Sequence, residues 1–456
     1  MLFQTQPFIL VFLPLTLAAF WLCAGSERWR QYALIAASLV FYSYWDVRFL
    51  PLLLGQIGIT WVLARLSSEG RNLPVIVLGV LVNLGSLATF KYLDFLTGAV
   101  ETVTGLALPH ASLVLPIGIS FFSFQLISYL VDLRRGDAPL YPLRPFALFV
   151  LVFPHLIAGP IVRHNELVPQ FALDPRRPGL AQRFSVAGAL FALGLAKKVL
   201  LADHLGPVTD ELFSKAVHQT LSFGEAWTAA LAFTFQLFLD FSAYTEMAIG
   251  IALMFGLLLP ENFRQPYLST SMRDFWRRWH ISLSNFIRDY LYIPLGGSRR
   301  GEARYVIATL LTMAICGLWH GAGWTYVAWG VWHGIGLIVC RYWQRLGTPM
   351  PAPLDWLVTM LFVIAGWVIF RAVDFTSAGS ILQSMAGING FSGKIEWWRL
   401  LLVAAAVSLF VPSAHTLKDR YIFPHPLLAF VIAIIAAICV LEIGKGAPTP
   451  FIYFQF

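Results

Sequence analysis

YVIATLLTMAICGLWHGAGWTYVAWGVWHGIGLIVC, from Tyr305 to Cys340, runs for 36 residues without an Asp, Glu, Lys or Arg. Crossing a hydrocarbon core takes about 20 helical residues, so the run is long enough for two passes. The weak point between them is Gly321-Ala322-Gly323. The same run holds Gly317-Leu318-Trp319-His320. An imidazole in apolar surroundings is costly unless it has partners or a task, so it is read first as functional. The alternative for His320 is a packing histidine bonded to a neighbouring carbonyl. His333, thirteen residues on, reads as packing.

The rest of the chain follows the same pattern. Hydrophobic residues make up 58% and charged residues 12%, with a mean hydropathy of +0.70. A soluble domain carries about 25% charged residues, so most of this surface does not face water. Uncharged apolar runs recur at 8–24, 31–45, 49–64, 73–90, 111–131, 146–162, 184–196, 226–239, 247–260, 356–370, 400–414 and 427–441, besides the opening one. Several are too short to span alone, and these predict re-entrant or interfacial helices. The expectation is an all-α polytopic membrane protein with about 11 transmembrane helices. With no room for a soluble domain longer than a loop, residues 1–456 are read as one domain.

Basic residues orient the chain. Arg28 and Arg30 follow the first run, whose N-terminal flank has no Lys or Arg, so the N-terminus is expected outside. Lacking a basic n-region, Phe8 to Ala24 reads as a retained helix rather than a cleaved signal. The stretch 260–304 has eight arginines against four acids and is expected on the cytoplasmic side. The net charge of +8 fits basic loops beside anionic lipid rather than nucleic-acid binding. Cys23, Cys316, Cys340 and Cys439 stand singly in apolar stretches and read as packing thiols. Cys316 and His320, at i and i+4, are two ligands where zinc needs four, so no metal site is expected.

Three further stretches can carry chemistry. Met272 to Arg288 places Phe275, Trp276, Trp279, Leu283, Phe286 and Ile287 at spacings of three and four, which predicts one amphipathic interfacial helix. On it, His280 is either a polar group of an anchor helix or an inward-facing site residue. In the second case Arg277, Arg278 and Arg288 stand at the mouth for an anionic acyl donor. Phe153-Pro154-His155 to Gly159-Pro160 predicts a broken element, because prolines cannot continue a helix. Gln236, Asp240, Ser242, Tyr244 and Glu246 cluster between two apolar runs. Asp240 and Glu246 can orient a histidine, bind a cation or pair with arginines.

Taken together the phrases Leu115 to Phe122, Phe153 to Pro160, Asp240 to Ser242, Glu261 to Tyr267, Phe275 to Tyr292, Gly317 to Ala322 and Phe451 to Phe456 resemble the membrane-bound O-acyltransferase family, on the side of its bacterial alginate O-acetyltransferase branch. The resemblance covers the chain from end to end. It implies a helical ring around a central tunnel, with His320 at the position of the family's catalytic histidine and His280 at its second polar site residue. It also implies acetyl transfer from a cytoplasmic thioester, acetyl-CoA or a related donor, across the bacterial inner membrane. Periplasmic acetyltransferase partner proteins would then complete acetylation of a polysaccharide, alginate or another exopolysaccharide, with cellulose or peptidoglycan as alternatives. No resident cofactor is expected, since the thioester is a substrate.

In this reading His320 removes the proton of the attacking hydroxyl. His280 orients the donor or bonds the carbonyl oxygen as charge develops there. No Ser or Cys triad stands at a recognisable spacing. Two other classes compete: a transporter, which would show charges paired between helices at the midplane and internal repeats, and a non-catalytic scaffold of a polysaccharide export complex, which needs neither histidine.

Overall fold

The computed structural model describes residues 1–446 and 449–452; of the phrases quoted above, Phe451 to Phe456 lies outside them from Tyr453 onward. Every regular element among the described residues is a helix. Among the described residues, seven helices are long and apolar enough to cross a bilayer, or eight if the bent pair Trp398–Phe410 and Ala414–Tyr421 forms one span. The chain is a multi-pass membrane protein.

Several apolar runs take a different form from the one their boundaries suggest. The run at 73–90 passes through a π-helical turn, Ala88–Tyr92, into Leu93–Thr104. The run at 226–239 and the first part of the run at 247–260 are a single helix, Phe223–Met254, of 32 residues. At 1.5 Å per residue it is roughly 48 Å long. Its apolar window is 94% buried, so protein rather than lipid surrounds Asp240, Ser242 and Tyr244. That burial explains why these three polar groups do not break the helix: each lies against protein.

The described residues group into two compact units. The first comprises Met1–Ala192, Thr245–Pro260 and Ile422–Ile434. Its core is a phenylalanine cluster in which Phe153 meets Phe12 edge-on at 5.3 Å and Phe255 at 5.7 Å. The proline-bearing stretch is broken as its composition predicts: Val152 is extended and a single turn, Phe153–Leu156, follows. His155 is buried there, with its Nδ1 3.3 Å from Gln125 Nε2.

The second unit comprises Leu193–Tyr244, Glu261–Tyr421 and Ile435–Phe456. Its centre is the hairpin read from the opening stretch, Glu302–His320 followed by Trp324–Leu346. Small residues decide how closely the two helices pack. A methyl group at Gly317 would strike the Tyr326 carbonyl oxygen, and one at Gly330 the Met313 carbonyl oxygen. At the open end Glu302 accepts from Arg341 at 2.9 Å and from Arg345 at 2.6 Å.

The amphipathic stretch departs from the expected single helix. It forms two short helices, Met272–Arg278 and Ile281–Ile287, then a π-helical turn, Arg288–Tyr292. Between the two helices Trp279 is extended and His280 is left-handed, at φ 42° and ψ 55°. The break is stabilised from outside: Ile281 N–H donates to the Asn262 carbonyl and Arg264 N–H to the Arg278 carbonyl, both at 2.9 Å. Heptad-like spacing survives a local break of this kind, so periodicity alone does not reveal it.

Candidate active site

His280 stands where the backbone turns and His320 is the last residue of its helix. Their rings lie 6.5 Å apart, centroid to centroid. Both are buried, His280 completely and His320 to within 4% exposure. The left-handed backbone of His280 costs on the order of 1–3 kcal/mol, and the surrounding contacts hold it. Its Nδ1 lies 3.0 Å from Asn262 Oδ1, which also accepts from Ser282 Oγ at 2.9 Å and from the Ser282 N–H at 3.3 Å. An amide oxygen only accepts, so Nδ1 carries the proton. Neutral His280 therefore presents Nε2 as an acceptor.

Aromatic rings form the walls. Phe241 meets His280 edge-on at 4.7 Å, and Trp319 meets it at 6.1 Å. Around His320 stand Trp329 at 5.1 Å, perpendicular, and Phe370 at 5.5 Å. Trp329 stacks on Trp367, which packs 4.9 Å from Trp279. Indoles are large and rigid, so they fix imidazole orientation at little entropic cost. His333 lies one turn beyond Trp329, fully buried among Trp276, Trp329 and Phe362. Neither of its ring nitrogens has a hydrogen-bond partner among the described residues.

A cavity of about 480 Å³ adjoins this centre. Arg273, Arg277, Arg288 and Arg341 line it, with Trp276 and Thr312. Ile281, next in the chain to His280, is also on its wall. Thr312 and His320 share one helix, and eight residues at 1.5 Å each put them roughly 12 Å apart along its axis. Of the three arginines singled out in the sequence, Arg277 and Arg288 face the cavity. Arg278 does not line it and instead bonds Asp274 at 2.9 Å. Arg288 is itself bonded to Asp289 at 2.7 Å and Arg341 to Glu302 at 2.9 Å. Arginines on one partly apolar cavity suit a ligand with phosphate groups and an uncharged arm.

Residues 110–378 match the membrane-bound O-acyltransferase family. Similar proteins include the probable alginate O-acetylase AlgI of Pseudomonas putida, 37% identical with both chains covered in full. The peptidoglycan O-acetyltransferase of Helicobacter pylori is 39% identical over 86% of this chain and 81% of its own. The chain belongs to the membrane-bound O-acyltransferase family. A more distant similarity is to the teichoic acid D-alanyltransferase of Streptococcus thermophilus, 30% identical over 50% of this chain and 57% of its own.

As an O-acyltransferase the chain takes an acyl donor as substrate, and both histidines and the cavity arginines fall inside the matched residues. Sequence reasoning did not select Asn262, Phe241, Trp329, Arg273 or Arg341. Asn262 stands inside a quoted phrase, Glu261 to Tyr267, with no feature of its own. Arg341 ends the charge-free run at its C-terminal side, a signal that marks the edge of the apolar stretch and not a site. Asp240, read as a partner for a histidine, a cation or arginines, instead pairs with Lys198 at 3.0 Å.

Proposed function

We propose that this protein moves an acetyl group from a cytoplasmic thioester, acetyl-CoA in the first instance, to a hydroxyl group that leads to O-acetylation of an extracytoplasmic polysaccharide. The observation that carries the reading is the pairing of two buried histidines, 6.5 Å apart, beside a cavity lined by four arginines. The arginines hold the phosphates of the donor, with Arg277 and Arg288 in that role and Arg278 braced against Asp274. The uncharged arm then extends toward His320. About 11 spans around a central tunnel would place donor and acceptor on opposite membrane faces, with the arginine cavity cytoplasmic and the membrane the bacterial inner one.

His320 takes the proton of the attacking hydroxyl as its oxygen bonds the thioester carbonyl carbon. The carbon–sulfur bond then breaks, and the proton passes to the departing thiolate. His280, with Nδ1–H held by Asn262, bonds the developing oxyanion through Nε2–H in its imidazolium form, because only that form has a second N–H. The immediate acceptor belongs to periplasmic acetyltransferase partners, which complete the modification of the polymer.

An alginate-type exopolysaccharide is the favoured polymer, since the full-length similarity is to an alginate O-acetylase. Peptidoglycan is the second reading, favoured by the 39% identity to a peptidoglycan O-acetyltransferase. The test measures ester-linked acetate on both polymers in cells producing wild type, His320→Ala or His280→Ala at matched membrane levels. His320→Ala is expected to abolish acetate on one polymer. Transfer from labelled acetyl-CoA by the purified enzyme should fall about 10²–10⁴-fold. Full acetylation by His320→Ala would remove the catalytic reading and leave a scaffold.

A further inference from the structure

Within the described part of the C-terminal segment, Thr449–Ile452, Phe451 and Ile452 are buried, and the segment is held in the second unit by groups that the acyl-transfer scheme does not use. Lys198, 3% exposed at its side chain, lies between Asp203 at 2.7 Å and Asp240 at 3.0 Å. One ammonium between two carboxylates leaves acceptor capacity over, and Asp240 Oδ2 accepts the Ile452 N–H at 2.7 Å. Lys198 Nζ in turn donates to the Pro450 carbonyl at 3.3 Å. Both members of the ion pair thus bind the backbone of the same segment, from either side of Phe451.

Phe451 is consequently fixed in place, with 1% of its surface exposed. Its ring stacks on Tyr244 at 4.8 Å and 29°, and lies 5.6 Å from Phe241. Phe241 is the ring that meets His280 edge-on at 4.7 Å. Asp240 and Tyr244 are i and i+4 on one helix, so the residue that captures the segment and the one that stacks on it share a face. The connection from Lys198 to His280 therefore runs through one backbone clasp and two aromatic contacts.

We propose that Phe451 and Ile452 are positioning residues for acyl transfer: clasped by Lys198 and Asp240, they hold Phe241 against His280. The inference rests on the role of His280 proposed above. A packed interior transmits displacement because its rings have no free volume to absorb it. A misplacement of about 1 Å at a reacting group lowers turnover by about 100-fold.

The experiment measures kcat and KM for labelled acetyl transfer, per folded enzyme molecule, with the full-length protein in lipid nanodiscs. Phe451→Ala is expected to lower kcat about 10- to 100-fold with KM for acetyl-CoA unchanged. Phe451→Tyr, which retains the stacking ring, should stay within about threefold of wild type by the same geometric argument. If Phe451→Ala does not fold, Asp240→Asn provides the second measurement. It retains an acceptor for Ile452 but loses the charge that holds Lys198, so kcat should fall by a smaller factor. A purely structural segment would lower the yield of folded protein and leave kcat per molecule at the wild-type value, and that result overturns the proposal. If His280→Ala is impaired while Phe451→Ala turns over normally, the positioning role alone fails. If His280→Ala turns over normally, the assignment of His280 fails and the positioning role with it.

Discussion

Asn262 Oδ1 accepts from His280 Nδ1 at 3.0 Å and from the Ser282 side chain at 2.9 Å, so one amide both fixes an imidazole tautomer and holds the start of the next helix. The residue that sets the chemistry of His280 therefore comes from a different element, and its side-chain oxygen is what meets the imidazole.

Replacing Asn262 by Ala removes that oxygen. Turnover is expected to fall about 10- to 100-fold, in line with the loss of an orienting partner. Ser282→Ala removes one donor and leaves the His280 bond, so its effect on kcat should be several times smaller. Steady-state transfer of labelled acetyl groups by the purified variants checks both, and equal losses would contradict the orienting role of Asn262.

The cavity arginines separate in the same assay. Arg277→Ala combined with Arg288→Ala should raise KM for acetyl-CoA at least about tenfold with little change in kcat, because charge-assisted contacts are worth about 1.5–3 kcal/mol each. Arg278, which does not line the cavity, should tolerate Ala within about threefold. A larger effect from Arg278 than from the other pair would place the donor elsewhere.

The helix hairpin has no room for a methyl group at Gly330, which faces the Met313 carbonyl. Gly330→Ala is expected to destabilise the protein by about 1–3 kcal/mol through overpacking. Thermal unfolding in detergent reads this directly, as a lower midpoint than that of wild type. An unchanged midpoint would mean that the two helices pack less closely than described.

His333 is buried without a hydrogen-bond partner for either ring nitrogen among the described residues. An unpaired polar group in an apolar setting is replaced at small cost by an apolar one of similar size. His333→Leu should remain within about 1 kcal/mol of wild-type stability and retain acetyl transfer. Loss of transfer at normal stability would assign His333 a role beyond packing.

Much of the fold follows from one property of the sequence, the distribution of charge. The absence of charge from Tyr305 to Cys340 predicts a hairpin, and the helices end at His320 and restart at Trp324 as the glycines suggest. Proline placement likewise anticipates the broken stretch at Phe153–Leu156. Apolar content does not report where one helix stops and another starts when both are buried. The runs on either side of Asp240 are for that reason one helix, Phe223–Met254, although its polar residues suggested a break.

Local residue types thus determined that the chain enters a membrane, that it is helical, and that His280 and His320 stand in largely apolar surroundings. Burial in hydrocarbon penalises charge and unpaired polar groups at each position separately, and that penalty is written in composition. Tertiary structure alone decided that the two imidazoles lie 6.5 Å apart, that Asn262 sets the tautomer of His280, and that Phe451 and Ile452 return to the Lys198–Asp240 pair. Those relationships depend on packing between elements distant in sequence. Many different residues satisfy the local penalties equally well, so no single stretch records which partners meet.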